Sequence, residues 1–199
     1  MISRQLIFGV AVLLAITLGM SLYAWRMRAR VDRSDLSPAN SQPVAPPVNG
    51  ATEQVTLYVA YDDTGVLRSK PVRIPLPAGR QERAAEMLRA LLILYLDKIS
   101  PHPLAAGSEV RDVYLVDPGL AVIDLNTAFA DSHRSGILVE ELTVVSLVET
   151  LSANLPGITR VKILVDGKDR DTLAGHADLS NFYEVPAVNQ VAAQLQNAQ

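Results

Sequence analysis

The chain has 199 residues, no cysteine and a formal net charge of −3. The missing cysteines exclude disulfides, thiolate chemistry and a lipid anchor attached to a cysteine. An acidic chain with only 5% aromatic residues lacks the basic, stacking surface that nucleic acid needs, so we expect no nucleic-acid partner.

The first predicted element is an uncharged segment, residues 6–25. About 20 helical residues span roughly 30 Å, the hydrocarbon thickness of a bilayer. Tyr23 and Trp25 stand at the far end, where amphipathic rings favour the headgroup layer. We predict a single transmembrane helix within an Arg-flanked N-terminal region, residues 1–33. The alternative is a cleaved signal peptide, which would have a shorter apolar core and a small-residue cleavage site.

Two features of the sequence predict opposite membrane orientations for this segment. Arginines follow it at positions 26, 28, 30 and 33, whereas only Arg4 precedes it. The positive-inside rule would therefore keep the C-terminal side in the cytoplasm. Residues 34–54 form a predicted linker with four prolines, too polar to fold. An extended linker of this length could reach roughly 60 Å, which is more useful in a cell envelope than in cytoplasm.

One globular domain is predicted over residues 55–186, followed by a disordered tail over residues 187–199, with a partner-docking helix as the alternative for the tail. The hydrophobic periodicity of the domain predicts strands and helices in alternation. In chain order they are a strand at 55–61, a turn at 62–65, a short extended piece at 71–75, a helix at 81–97, hairpin strands at 113–116 and 120–125, a helix at 137–155 and a strand at 160–165. We predict a single α+β domain in which two helices pack on one face of a three- to four-stranded sheet, in the order β-α-β-β-α-β.

Residues capable of chemistry are few and scattered. The three histidines fall in separate predicted loops without the spacing of a metal site: His102, His133 and His176. Three carboxylates share one turn but do not match a calcium-binding loop: Asp166, Asp169 and Asp171. Ser132 and His133 are adjacent, and neighbours in sequence rarely face each other. We therefore predict no catalytic, cofactor-binding or metal-binding residue, no cofactor, and a protein that is not an enzyme.

Four motifs follow one another in the second half of the domain. They are GLAVIDLN at residues 119–126, G-x-x-x-E at 136–140 continuing to Leu151, GITRVKILVDG at 157–167 and TLAGHADLS at 172–180. This ordered set resembles the GerMN domain of sporulation and spore germination proteins, and the resemblance extends over residues 55–185. Glu149 stands where the family usually shows an asparagine.

The resemblance implies a non-enzymatic domain similar to ring-building motifs, small α/β units that stack side by side in envelope assemblies. It also implies a domain on the extracytoplasmic side of the inner or plasma membrane, and this decides our prediction of orientation. The chain departs from the pattern because it has one such domain, where the germination protein has two, and because it has no cysteine to carry a lipid.

Three functional hypotheses follow. The first is an interaction or assembly module, which would bind an envelope protein or a second copy through a helical face or by strand addition at Val72. The second is a sensory domain that binds an envelope ligand such as a cell-wall fragment. The third, a hydrolase, rests only on the scattered aspartates and histidines.

We also expect His176 to bond to backbone at the last turn of the domain.

Overall fold

The computed structural model describes residues 51–116 and 118–197. Six strands and four helices follow one another in these ranges. They are β1 (Thr52–Tyr61), β2 (Val66–Pro75), α1 (Arg80–Tyr95), β3 (Val110–Val116), β4 (Leu120–Leu125), α2 (Thr127–Asp131), α3 (Ile137–Asn154), β5 (Arg160–Val165), β6 (Tyr183–Glu184) and α4 (Val185–Asn197).

β1 and β2 form a two-stranded antiparallel sheet that pairs from Thr52 opposite Pro75 to Tyr61 opposite Val66. Side chains alternate between the two faces of a strand, and on β1 the alternation buries Val55, Leu57 and Val59. These residues face the core.

The outer edge of β1 is covered by helix side chains. Alternate backbone N–H groups donate to polar side chains of α1 and α3: Thr56 to Asn154 Oδ1 (3.0 Å), Tyr58 to Thr150 Oγ1 (3.0 Å) and Ala60 to Tyr95 Oη (2.9 Å). An uncovered edge would offer these donors to another strand. The helices therefore close this edge of the hairpin.

The second sheet has four strands in the order β3-β4-β5-β6. β3 and β4 are antiparallel, and β4 and β5 are parallel. Parallel neighbours need a crossover connection, which α2 and α3 provide between Leu125 and Arg160. The core lies between the sheets and the helices, and α3 is buried at nearly every position from Glu140 to Leu151.

The predicted arrangement of the fold is wrong. We expected one sheet with two helices on one face, whereas the described residues form two separate sheets and four helices. The extended piece at residues 71–75 is part of a ten-residue strand, β2, which pairs with β1 along its whole length. Side chains of α1 and α3 occupy the other edge of β1, so the hairpin cannot join the second sheet there.

The fold prediction also included a transmembrane helix, and this is corrected as well. Within residues 51–116 and 118–197, no helix is long and apolar enough to cross a membrane. The segment predicted to do so, residues 6–25, lies outside the described residues, as does most of the predicted linker.

The C-terminal residues differ from the expected disordered tail. α4 (Val185–Asn197) is a helix, and its apolar residues Val185, Val188 and Ala192 are buried. Their spacing places them on one helical face, which contacts α3 and β2. A stripe this short does not stabilise an isolated helix, but tertiary packing does so here.

Leu151→Ala tests the central position of α3. Leu151 is fully buried, and removing a buried leucine side chain typically costs about 2–5 kcal/mol through lost burial and the remaining cavity. We expect urea unfolding of the full chain in mild detergent to show a loss in that range. Leu138→Ala, on the same helix but 43% exposed, is the matched control and should cost less than half as much. Equal effects of the two substitutions would contradict the placement of α3 in the core.

Candidate functional site

A buried carboxylate joins the start of α3 to the loop at residues 174–177. Glu140 lies in the first turn of α3 and is fully buried. It accepts hydrogen bonds from five N–H groups: the backbone of Gly136 (3.1 Å), Ala174 (3.0 Å), His176 (2.9 Å) and Ala177 (2.9 Å), and His176 Nδ1 (2.9 Å). The loop is therefore held against α3 by one side chain.

These donors keep Glu140 ionised. Burial by itself would raise the pKa of this carboxyl group, since a charge is poorly solvated inside a protein. The hydrogen bonds from Ala177, His176 and Gly136 outweigh burial and lower the pKa to about 2. The negative charge also lies near the N-terminus of α3, where the helix dipole stabilises it.

This contact explains why two of the sequence motifs occur together. G-x-x-x-E supplies Gly136 and Glu140, and TLAGHADLS supplies the loop that donates to the carboxylate. Our expectation for His176 was wrong, because its ring bonds to Glu140 and lies 3.3 Å from Ser135 Oγ rather than bonding to backbone. Gly175, within this loop, has φ +121°, a conformation that favours glycine.

The held loop forms one wall of a groove of about 790 Å³, which we call the α3–α4 groove. Its lining is mainly apolar and comes from α3, α4 and residues 175–184: Ile137, Glu141, Val144, Val145, Gly175, His176, Ala177, Asp178, Phe182, Tyr183, Glu184, Ala187, Val188 and Val191. Ile137 is 72% exposed and Phe182 is 50% exposed. Three carboxylates line the groove, and its lining residues, all within the described ranges, include no lysine or arginine.

Tyr183 is a neutral hydrogen-bond donor at this groove. Burial, together with the nearby charges of Asp178 and Glu140, raises its pKa to about 12. Its hydroxyl donates to the backbone carbonyl of Asp178 at 2.6 Å. The phenol therefore stays protonated and supports the loop instead of acting as a base.

A second polar cluster brings together two of the histidines that we expected to lie apart. The Nε2 atoms of His102 and His133 lie 2.7 Å and 2.8 Å from the hydroxyl of Thr143 on α3. Both rings are buried. The other ring nitrogen of His102 lies 2.6 Å from Asp62 Oδ1, and Asp62 also pairs with Arg134.

Sequence reasoning noted Glu140 only as part of the G-x-x-x-E motif and missed Thr143, because the partners of both residues lie in other segments of the chain. A polar residue in a helix that is apolar over a wide arc must find a partner inside the protein. That requirement was the available signal. It marks the residue that needs a partner, and it does not reveal the partner.

Asp62, His102 and Thr143 contact one another in the order carboxylate, imidazole, hydroxyl, which is the order found in a catalytic triad. The Thr143 hydroxyl, however, is inaccessible to a substrate. Thr143 is fully buried, and its hydroxyl lies 2.9 Å from the carbonyl of Val139. A nucleophile needs space for a substrate beside it. The cluster does not provide that space.

The carboxylates in the turn after β5 have separate roles. Asp166 pairs with Arg111 at 3.1 Å, and Asp169 pairs with Lys162 at 2.8 Å. In the part of the chain that the structure describes, no group of three or more His, Cys, Asp or Glu side chains is arranged to hold a metal ion.

Residues 56–171, more than half of the chain, match the Germane family, described as sporulation and spore germination. The chain belongs to this family. The match confirms the resemblance to the GerMN domain that the sequence motifs indicated. Among curated proteins, none matches the chain.

The solved structures that are similar to this chain include the following three. A "Putative Lipoprotein from Clostridium perfringens" shares 18% identity over 71% of this chain and 92% of its own, with a TM-score of 0.45. The first GerMN domain of the sporulation protein GerM from Bacillus subtilis shares 21% identity over 64% of this chain and 92% of its own, with a TM-score of 0.46. The tandem GerMN domains of GerM share 22% identity over 66% of this chain and 46% of theirs, with a TM-score of 0.48.

Glu140→Gln tests the buried carboxylate. The pKa shift from 4.5 to about 2 corresponds to about 3 kcal/mol of folding free energy at pH 7, since one pKa unit is worth about 1.4 kcal/mol. Because the folded pKa is depressed, this stabilisation is present above pH 4.5 and is lost as the pH falls toward 2. We expect the variant to be less stable by about 3 kcal/mol at pH 7, and the difference from the wild type to narrow between pH 5 and pH 2.

The measurement is urea unfolding of the full chain at a series of pH values. Glu141→Gln changes the neighbouring, partly exposed carboxylate and is the matched control, for which we expect little effect at either end of the pH range. A Glu140→Gln variant as stable as this control at pH 7 would show that the loop does not depend on the carboxylate.

Proposed function

We propose that this protein is a non-enzymatic interaction module of the cell envelope, with its domain on the extracytoplasmic side of a membrane, and that it binds a protein partner through the α3–α4 groove. The observation that carries the proposal is the exposure of Ile137 and Phe182 beside an apolar groove. Large apolar side chains that are exposed together mark interaction sites more often than isolated ones do.

The groove is formed in advance of binding. Glu140 holds one wall with four hydrogen bonds from the 174–177 loop, and Val188 and Ala192 of α4 are buried on another side. A site that is already ordered loses little conformational entropy when a partner binds. This supports a binding surface in preference to a loop that closes around a substrate.

The outer edge of β2 is a poor site for strand addition, and this favours the groove as the binding site. The β1 donors that bond to helix side chains point away from β2, and Thr56 lies opposite Pro71 in the same register. Pro71 and Pro75 therefore occupy outward-facing positions of β2, where a proline has no N–H to donate. Strand addition at Val72, the alternative route for an interaction module, would meet an interrupted row of donors.

A positively charged partner is favoured by the carboxylates of the groove lining. Glu141, Asp178 and Glu184 line it without a lysine or arginine among the described lining residues. A complementary partner segment combines apolar side chains with lysine or arginine, which would improve both association rate and selectivity.

Location rests on three features. Membership of the sporulation and spore germination family supports the cell envelope. The uncharged segment at residues 6–25 supports association with a membrane, and the proline-containing segment at residues 34–54 supports a domain held away from it.

A second candidate is the binding of a small envelope ligand, such as a cell-wall fragment. The groove volume of about 790 Å³ lies within the usual range for ligand pockets, roughly 300–1,000 Å³. The apolar lining fits an apolar peptide segment better than a polar saccharide, so we favour the protein partner.

Site-specific photo-crosslinking in the native host tests the groove. A photoreactive phenylalanine analogue at position 182 should form discrete adducts with protein, because Phe182 lines the groove. The same analogue at position 114 is the control, since Tyr114 is similarly exposed on β3 away from the groove. Ala187→Arg should abolish the adducts by filling the groove, whereas Ala153→Arg, on an exposed position of α3, should not. Adducts that survive Ala187→Arg would rule out the groove as the binding site.

A reporter fused after Gln199 tests the orientation. We expect a reporter that is active only outside the cytoplasm to be active, and a cytoplasmic reporter at the same position to be silent. The opposite pattern would show that the arginines at positions 26 to 33 govern orientation. The interaction module would then act on the cytoplasmic side.

A further inference from the structure

Two buried imidazoles face a single hydroxyl group in this fold. His102 Nε2 and His133 Nε2 lie 2.7 Å and 2.8 Å from Thr143 Oγ1. The carbonyl oxygen of Val139 lies 2.9 Å from the same hydroxyl. All three are hydrogen-bond contacts by distance, and each of the two ring contacts requires a hydrogen between the ring nitrogen and the hydroxyl oxygen.

The other nitrogen of each ring has a fixed role. His102 Nδ1 faces the Asp62 carboxylate at 2.6 Å, and His133 Nδ1 faces the carbonyl of Arg134 at 2.8 Å. A carboxylate and a carbonyl only accept hydrogen bonds, so both Nδ1 atoms carry a hydrogen. In a neutral imidazole the remaining nitrogen, Nε2, then has only a lone pair.

With both rings neutral, the cluster is short of hydrogens. Two Nε2 lone pairs and the Val139 carbonyl compete for the one hydrogen on Thr143. At least one ring then places a nitrogen lone pair against an oxygen lone pair at less than 3 Å. That contact repels until a hydrogen is supplied or the ring moves away.

One added proton satisfies both ring contacts. Protonated His102 donates from Nε2 to Thr143 Oγ1, and the Thr143 hydroxyl donates its own hydrogen to His133 Nε2. The proton belongs on His102, because its Nδ1 contacts the charged carboxylate of Asp62, whereas Nδ1 of His133 contacts a neutral carbonyl. A second proton would put two positive charges on rings whose centroids are 6.1 Å apart, which electrostatic repulsion opposes.

We infer that His102, Thr143 and His133 form a one-proton switch, in which acidification adds a single proton to the pair and closes the contact between Thr143 and both rings. The switch holds the loop between α2 and α3, because His133 lies in that loop. Ile137, four residues later, lines the α3–α4 groove. The proton uptake does not depend on the proposed binding partner.

The charged and titratable groups around the pair come from four parts of the fold. Asp62 lies in the turn after β1, Arg134 in the loop before α3, Glu140 on α3, and Tyr95 on α1 with its ring 4.7 Å from that of His102. Burial lowers the pKa of both histidines, and Arg134 lowers it further, whereas Asp62 raises that of His102 and Glu140 that of His133. The transition therefore belongs below the ordinary histidine pKa of about 6.5.

The test is nitrogen-15 NMR of the full chain with labelled histidines in detergent micelles, between pH 8 and pH 4.5. Ring nitrogen shifts report which nitrogen of each histidine carries hydrogen, and the chain has only three histidines to assign. We expect His102 to gain a hydrogen on Nε2 while His133 keeps its neutral form. If both rings titrate with one midpoint, or neither takes up a proton, the inference is overturned.

Substitutions of Thr143 distinguish the proposed switch from an effect of burial alone on the His102 midpoint. Thr143→Val removes the shared hydroxyl and should lower the midpoint by about one pH unit, a tenfold loss of proton affinity. Thr143→Ser should keep the midpoint, and Thr150→Val, another buried threonine of α3, should leave it unchanged. Should Thr143→Val fail to fold, His133→Phe removes the competing acceptor and should lower the His102 midpoint in the same direction. An unchanged midpoint in either variant would overturn the inference.

Discussion

The fold depends on one buried negative charge. Glu140 is fully enclosed, and an enclosed carboxylate is tolerated only when its oxygens are fully hydrogen-bonded. Most of the donors come from residues 174–177, about 35 positions further along the chain, so this loop must close over the start of α3. The closed loop positions the segment that follows it, of which Asp178, Phe182, Tyr183 and Glu184 line the α3–α4 groove. A requirement for solvation of one side chain thus sets the shape of the candidate binding surface.

The same principle applies along the whole of α3. The helix belongs to the crossover that connects the parallel strands β4 and β5, and it is buried on nearly all sides. Each polar residue on it must therefore find a partner within the protein. Glu140 binds the 174–177 loop, Thr143 contacts two histidines, and Thr150 and Asn154 cover the edge of β1. The polar residues of α3 specify which neighbours lie where, while its apolar residues supply the burial.

Local patterns in the sequence predicted local structure well. The helices predicted at 81–97 and 137–155 are found at Arg80–Tyr95 and Ile137–Asn154, because apolar periodicity is a property of the segment itself. The separation into two sheets could not be predicted, since it depends on contacts such as that between Thr56 and Asn154, 98 residues apart. The histidine cluster depends likewise on contacts between loops that spacing does not reveal. The motifs identified the family, yet the carboxylate that links two of them was visible only in the structure.

The two polar networks meet in one short loop before α3. His133 contacts Thr143, Arg134 pairs with Asp62, Ser135 lies near His176, and Gly136 donates to Glu140. Gly136, whose backbone N–H donates to Glu140, follows His133 by only three residues, so a ring movement at His133 would act close to the carboxylate that holds the groove wall. An extracytoplasmic domain experiences the acidity of its surroundings directly, so the proposed location would supply the signal that a one-proton switch requires.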